Sequence, residues 1–251
     1  MVYDIKIVVS KYKESESKLS WLDQLSSFDY SEKPKEIVKK IYDKSKNADI
    51  PNIGREAHTY IHHILNHYEE IKENPEGIIF FTQADPWDHI YDTYKEYFVT
   101  HKKFIYNINP RSKTFKIDFI SACCEEAEKE GISKSIANSH LDIVPPKFQP
   151  KFTFRILEWP LGTKLTPNLQ NECFGKWFEK CVHHPFQHNM TWFLGGIFAV
   201  RNDIILSRPR SFYESLILEF RDNSPNPEVA HFFERSWFYV FQKPKHNNKR
   251  L

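Results

Sequence analysis

The segment GIIFFTQADPWDH, Gly77 to His89, decides how the chain is read. It opens with a continuous apolar run of strand length. A half-exposed strand alternates apolar and polar residues, whereas an unbroken run suits a strand buried on both faces, as in a parallel sheet. The run ends by releasing Asp85, Asp88 and His89 within five residues. Pro86 stands where a following helix, PWDHIYDTYKEYF, would have its first turn.

Working outward, YDIKIVVS (3–10) is β-branched and reads as a strand. KEIVKKIYDKS (35–45) is read as a second strand in preference to a short helix. ESKLSWLDQLSSF (16–28) has helical spacing at Leu19, Leu22 and Leu25. Gly54 to Ile71 reads as a helix, with Ala57, Ile61, Ile64 and Leu65 on one side. Strand and helix thus alternate over the first hundred residues, the pattern of an α/β layer fold. The expected architecture is a mostly parallel central sheet flanked by helices. Residues 101–190 are less regular and rich in proline, with a helix expected around Asp118 to Glu130. Order then returns: GIFAV (196–200) is a strand and Arg210 to Phe220 an amphipathic helix. NPEVAHFFERSWFYVF (226–241) is a last helix, with Asn226 as its cap and Pro227 near its first turn.

At 251 residues, 40% hydrophobic and 16% aromatic, the chain is long enough to bury a full core. A net charge of +2 argues against a general nucleic-acid coat. The short basic stretch KPKHNNKR, Lys243 to Arg250, reads as a solvated end. Four cysteines, two of them adjacent (Cys123 and Cys124), suit a reducing compartment better than a disulfide framework. A strand begins within three residues of Met1, so no signal peptide is expected, and no apolar run approaches the ~18 residues that span a bilayer. A soluble, cytoplasmic protein is the expectation.

Four stretches carry candidate chemistry. In PNIGREAHTYIHHILNHYEE (51–70), His58 and His62 share a helix face at the spacing of zinc-binding helices. The metalloprotease version needs Glu directly after the first His, and Thr59 stands there. Histidines in a core or on a surface are the alternative, for these two and for His63 and His67. Within NIGRE, Gly54 permits close backbone approach, the following amides form an anion site, and Arg55 offers a fork for phosphate or carboxylate. The alternative is a plain cap, with Asn52 as N-cap and Arg55 and Glu56 exposed. Asp85, Asp88 and His89 end a strand where open α/β sheets bind ligands, and suit Mg²⁺ or Mn²⁺ against a diphosphate. The alternative there has Asp85 capping a helix and Asp88 favouring its dipole.

In CFGKWFEKCVHHPFQH (173–188), zinc ligation by Cys173, Cys181, His183, His184 and His188 stands against a buried helix followed by a histidine-rich loop. Near the C-terminus, Gly195 and Gly196 suggest close backbone approach, and Trp192 and Phe193 offer stacking faces or core. His231 and Glu234, three apart, point into one cleft, where a Glu can act as general base.

Together these residues resemble an uncharacterised domain family found in fungal, bacterial and viral proteins. Its members open with a strand and a (R/K)YxE…WL element, matched by Lys11, Tyr12, Glu14, Trp21 and Leu22. The family pattern N-x-G-R-E-x-x-T-Y-L-x-H-I is matched by Asn52, Gly54, Arg55, Glu56, Thr59, Tyr60, His63 and Ile64, with Ile61 for Leu. Its vFLQGxPFDH element keeps Gln83, Pro86, Asp88 and His89, with Ala84 and Trp87 substituted. C-terminal patterns match from Gly196 to Leu216 and from Glu234 to Phe241. The layout looks like that of GT-A glycosyltransferases, within one domain over 1–251. Residues 1–100 would be the nucleotide-binding half, 101–150 a variable segment, and 151–251 the acceptor-side half.

What this resemblance implies is transfer of a sugar from a nucleotide-sugar donor to a glycan or protein acceptor. Lys11, Tyr12, Asn52, Gly54, Arg55, Glu56 and Gln83 would hold the nucleotide and donor sugar. Asp85, Asp88, His89 and His231 would bind Mn²⁺ or Mg²⁺. Asp88 and Glu234 would be catalytic, Glu234 as the base on an acceptor hydroxyl, and Trp192, Gly195 and Gly196 would line the acceptor site. GT-A enzymes commonly carry Asp-x-Asp, and this chain has Asp85-Pro-Trp-Asp88 instead. A metal-dependent hydrolase or nuclease, and a non-catalytic carbohydrate- or protein-binding module, are the alternatives.

Overall fold

The computed structural model describes residues 4–27, 34–45, 49–86, 174–185, 196–221 and 223–242. The helices expected over 86–98 and around Asp118 to Glu130 lie outside the described residues, apart from Pro86.

Among the described residues four strands form one sheet: β1 (Asp4–Lys11), β2 (Glu36–Asp43), β3 (Ile78–Gln83) and β4 (Phe198–Arg201), in the order β2-β1-β3-β4. β1 is parallel to both β2 and β3, with Ile7 opposite Lys39 and Phe80. β4 runs antiparallel to β3, with Ile79 opposite Val200. The protein is therefore an α/β fold with a mixed, mostly parallel sheet packed against helices. The apolar run of β3 does what its composition implies. Ile79 and Phe81 join the main core on one face, and Ile78 and Phe80 are buried on the other.

The α-helices among the described residues are α1 (Arg55–Asn66), α2 (Tyr68–Glu73), α3 (Phe174–Val182), α4 (Asn202–Ile205), α5 (Arg210–Ile217) and α6 (Glu228–Val240). α1 packs on β1, α5 and α6, placing Tyr60, Phe81, Phe198 and Trp237 in ring contact. Buried Arg208 donates to the carbonyls of Val182, Tyr239 and Val240. The Val182 and Val240 carbonyls lie at the C-terminal ends of α3 and α6, where a helix leaves its carbonyls without intrahelical partners, and the Tyr239 carbonyl also accepts from the Gln242 amide at 3.0 Å.

Three sequence expectations need correction. Leu19, Leu22 and Leu25 lie on a 3₁₀ helix, Glu16–Ser27, all three buried. Their spacing of three matches the 3₁₀ repeat of 3.0 residues per turn better than 3.6. The single helix from Gly54 to Ile71 is two, broken where His67 takes φ −114° and ψ 17°. Tyr68 then anchors the new direction by donating to the Arg208 carbonyl at 2.9 Å. Asn226 does not cap the last helix; Pro227 occupies that position, and Asn226 Oδ1 accepts from His231 instead. Among the described residues no helix is long and apolar enough to cross a membrane.

Candidate functional site

Parallel strands point their carboxyl ends to the same side, and here that side opens into a pocket of about 280 Å³. Its walls come from the end of β1 (Ser10, Tyr12, Glu14), the end of β3 (Gln83) and the residue after β2 (Lys44). The turn into α1 adds Asn52, Arg55 and Glu56, and the loop before α6 adds Pro225 and Asn226. Five residues singled out from sequence, Tyr12, Asn52, Arg55, Glu56 and Gln83, thus meet in one cavity.

The turn into α1 is unusual. Gly54 and Arg55 both have positive φ, 61° and 50°. For Gly54 this costs nothing, and its absent side chain admits Phe220: a Cβ would lie 2.4 Å from that ring. For Arg55 the left-handed conformation is strained, of order 1–3 kcal/mol, and persists only where surrounding bonds over-determine it. They do so here. Gly54 N–H donates to the Ser224 carbonyl at 2.9 Å, and Arg55 N–H to the Pro225 carbonyl at 3.0 Å. Lys44 Nζ donates to the carbonyls of Ile53 and Arg55 from the other side.

This arrangement corrects both readings of NIGRE. The amides of Gly54 and Arg55 are consumed by the 224–225 loop, so these two cannot serve an anion. Asn52 is not the N-cap either; Gly54 holds that position without any side-chain cap, and Glu56 is buried. The Arg55 side chain remains as the cationic group that this turn presents to the pocket. The Arg55 side chain is 30% exposed, with Nε 3.4 Å from Glu56 Oε2 and Nη1 3.4 Å from His231 Nε2.

Behind Arg55 lies a buried charged cluster. His231 donates through Nε2 to Asn226 Oδ1 at 3.1 Å, and its Nδ1 is 3.7 Å from Glu234 Oε2. Arg235 Nη1 is 3.6 Å from the same oxygen. Burial opposes the Glu234 charge, but His231, Arg235 and Arg55 outweigh it and hold the carboxyl below its ordinary 4.5, at about 2. A carboxylate held so low accepts a proton poorly. Glu234 suits holding these cations in place better than acting as a base, and it does not line the pocket.

Lys44 and Glu14 complete the site. Lys44 is 3% exposed, and burial lowers its pKa to about 8, partly opposed by Glu56. In sequence it is one of several lysines at a strand end, and only burial sets it apart. Glu14 Oε2 accepts from the amides of Tyr12 at 2.7 Å and Lys13 at 3.1 Å, which fixes the bend after β1.

Other expected site residues fall elsewhere. Lys11 turns away to Asp43 Oδ2 at 2.7 Å and Glu16 Oε1 at 3.1 Å. Gly196 has φ 65° and sits against Glu56 and Trp237. Asp88, His89, Trp192 and Gly195 lie outside the described residues. The remaining metal-ligand candidates do not fit a divalent ion as they stand. Asp85 is paired to Lys18 at 2.6 Å, and His231 has guanidinium groups beside it.

The histidine-rich face of α1 is packed. His58 stacks on His62 at 6.0 Å and meets the Phe220 ring edge-on. Burial, then Lys44 and His62, push its pKa down to about 4. His63 bonds the Tyr42 hydroxyl at 2.9 Å through Nδ1. In α3, Cys181 is buried, while His184 bonds the Gln242 carbonyl and His183 packs on Phe212; Cys173 and His188 lie outside the described residues. Among the described residues no three His, Cys, Asp or Glu side chains are placed to hold a metal.

No protein-family model matches the chain, and comparison with curated proteins and with solved structures gives no significant match.

Proposed function

We propose that this pocket binds a nucleotide sugar and that the protein is a glycosyltransferase of GT-A-like layout. The observation that carries the reading is the convergence of Tyr12, Asn52, Arg55, Glu56 and Gln83, from three separate motifs, at the carboxyl ends of parallel strands. The lining chemistry supports it. Arg55 and Lys44 supply positive charge for a diphosphate. Glu14 and Glu56 supply carboxylate acceptors for sugar hydroxyls. Tyr12, 39% exposed, offers a ring face to a base.

In the transfer, an acceptor hydroxyl attacks the anomeric carbon while the bond from that carbon to the diphosphate oxygen breaks. Negative charge grows on the departing diphosphate, and the Arg55 guanidinium stands where it is neutralised. Its left-handed backbone, held from both sides, fixes that position before substrate arrives. The acceptor proton passes to Glu56, the pocket-lining carboxylate beside Arg55, rather than to Glu234.

The test is the melting temperature against a panel of nucleoside diphosphates and nucleotide sugars, each with Mn²⁺, with Mg²⁺ and with chelator. A ligand at about 100 times its Kd adds about 2.7 kcal/mol, a rise of roughly 5–10 °C for a chain of this size. Arg55→Gly should abolish the rise without loss of fold, because glycine suits the positive φ. A rise that requires metal brings Asp88 and His89 into the site. No rise with any nucleotide refutes the reading, and turnover of phosphodiesters without a sugar acceptor points to a hydrolase.

A further inference from the structure

A second pocket, of about 140 Å³, lies at the opposite, amino-terminal end of the parallel strands. Asp4 opens β1 there, and Asn74, Gly77 and Asn202 surround it. Asn74 ties the group together. Its Nδ2 donates to Asp4 Oδ2 at 3.1 Å, and its carbonyl accepts from Asn202 Nδ2 at 2.7 Å. Gly77 makes the close approach possible, since a Cβ there would lie 2.7 Å from Asn202 Nδ2 and 2.9 Å from Asn74 Nδ2.

Two oxygens in this knot are buried without a hydrogen-bond partner: Asp4 Oδ1 and Asn202 Oδ1. Asn202 is only 5% exposed. Its amide cannot be reversed to relieve this, because its oxygen would then face the Asn74 carbonyl. Both orphan atoms are acceptors, so their missing partner is a donor or a cation. The charges decide between them. Among the described residues the ionisable side chains lining the pocket are Asp4, Lys6, Glu36 and Glu70, and Lys6 is already bonded to Glu70. Asp4 and Glu36 therefore leave the pocket negative.

We propose that this pocket is a hard-cation site in which Asp4 Oδ1 and Asn202 Oδ1 are protein ligands. A carboxylate and an amide carbonyl are the oxygens Ca²⁺ accepts, with water completing its six to eight positions. The volume leaves room for an ion and several waters, each filling about 30 Å³. With only two buried protein oxygens, affinity falls in the weak range, on the order of 10⁻⁴–10⁻³ M. The site is independent of the nucleotide pocket and of its function.

The experiment is a CaCl₂ titration of the full chain after EDTA treatment, read as melting temperature, with NaCl at matched ionic strength as reference. Wild type should gain roughly 3–10 °C at 10 mM Ca²⁺. Asp4→Asn should weaken the response at least tenfold. Glu36→Gln, at an exposed rim position, should fold normally and weaken it about two- to threefold. Asp88→Asn should leave it unchanged, which separates this site from any metal in the nucleotide pocket. The proposal is overturned by absence of a Ca²⁺ response, by a response lost in Asp88→Asn, or by one unaltered in both Asp4→Asn and Glu36→Gln. It is equally overturned if Asp4→Asn is more stable than wild type in Ca²⁺, because the occupant is then water.

Discussion

Gly54→Ala tests whether the turn into α1 is built as described. The new Cβ meets two separate penalties. At φ 61° a side chain enters the left-handed region, at a cost of roughly 1–2 kcal/mol. It would also lie 2.4 and 2.5 Å from Phe220 ring carbons and 2.9 Å from His58 Cβ. Forcing a methyl into packed surroundings costs a further ~1–3 kcal/mol. The turn cannot swing aside freely, because both its amides are bonded to the 224–225 loop. The total is about 2–5 kcal/mol. In urea, with a slope of about 2–3 kcal/mol per molar, the midpoint should fall by roughly 1–2 M. Because Arg55 is the next residue, the nucleotide response should weaken as well. Combining the change with Phe220→Leu tests the share of the steric penalty that the Phe220 ring imposes. The clash with the outer ring carbons of Phe220 should ease, while the His58 contact and the left-handed cost remain, giving a coupling of about 0.5–3 kcal/mol. A loss below about 1 kcal/mol for Gly54→Ala, or strict additivity with Phe220→Leu, refutes the account of this turn.

Two further outcomes follow from the buried charges. Glu234→Gln leaves Arg235, itself 2% exposed, with one fewer counter-charge and should cost about 3 kcal/mol in urea unfolding near pH 7. The Glu234 carboxyl is lowered in the folded state, so its contribution is complete above about 4.5 and is lost as pH falls toward 2. Wild type and variant should therefore converge across that window, and parallel curves would contradict the assignment. Lys44 has the opposite charge and a lowered folded value, about 8 against an ordinary 10.5. Between these values the unfolded chain binds more protons, so this group makes stability rise with pH. Unfolding free energies at pH 8 and pH 10 should show Lys44→Met losing that upward contribution relative to wild type.

Local pattern and long-range structure divided the information in this protein along clear lines. The unbroken apolar run of β3 announced a strand buried on both faces, and β1 and β2 were legible from their β-branched residues. Gly54 was recognisable as a special backbone position and Arg55 as a candidate anion fork from their own chemistry, whereas Tyr12 and Gln83 were candidates only through the family resemblance. The strands, Gly54 and Arg55 depend on short-range chemistry: side-chain volume, period and conformational freedom.

What the sequence left open required partners far along the chain. GIFAV read as a strand, but only pairing with β3 made it antiparallel. NIGRE could be read as an anion-binding turn or as a helix cap, and only the fold showed that residues 224–225 take the Gly54 and Arg55 amides. Arg55 and His231 meet across 176 positions of sequence, and no local period encodes that contact. Lys44 is one lysine among many until packing removes it from water and turns it onto two carbonyls. Sequence period thus determined the elements and the residue types with site chemistry. Tertiary packing alone decided which polar atoms were satisfied within the fold and which were not, because that depends on neighbours brought in from elsewhere in the chain.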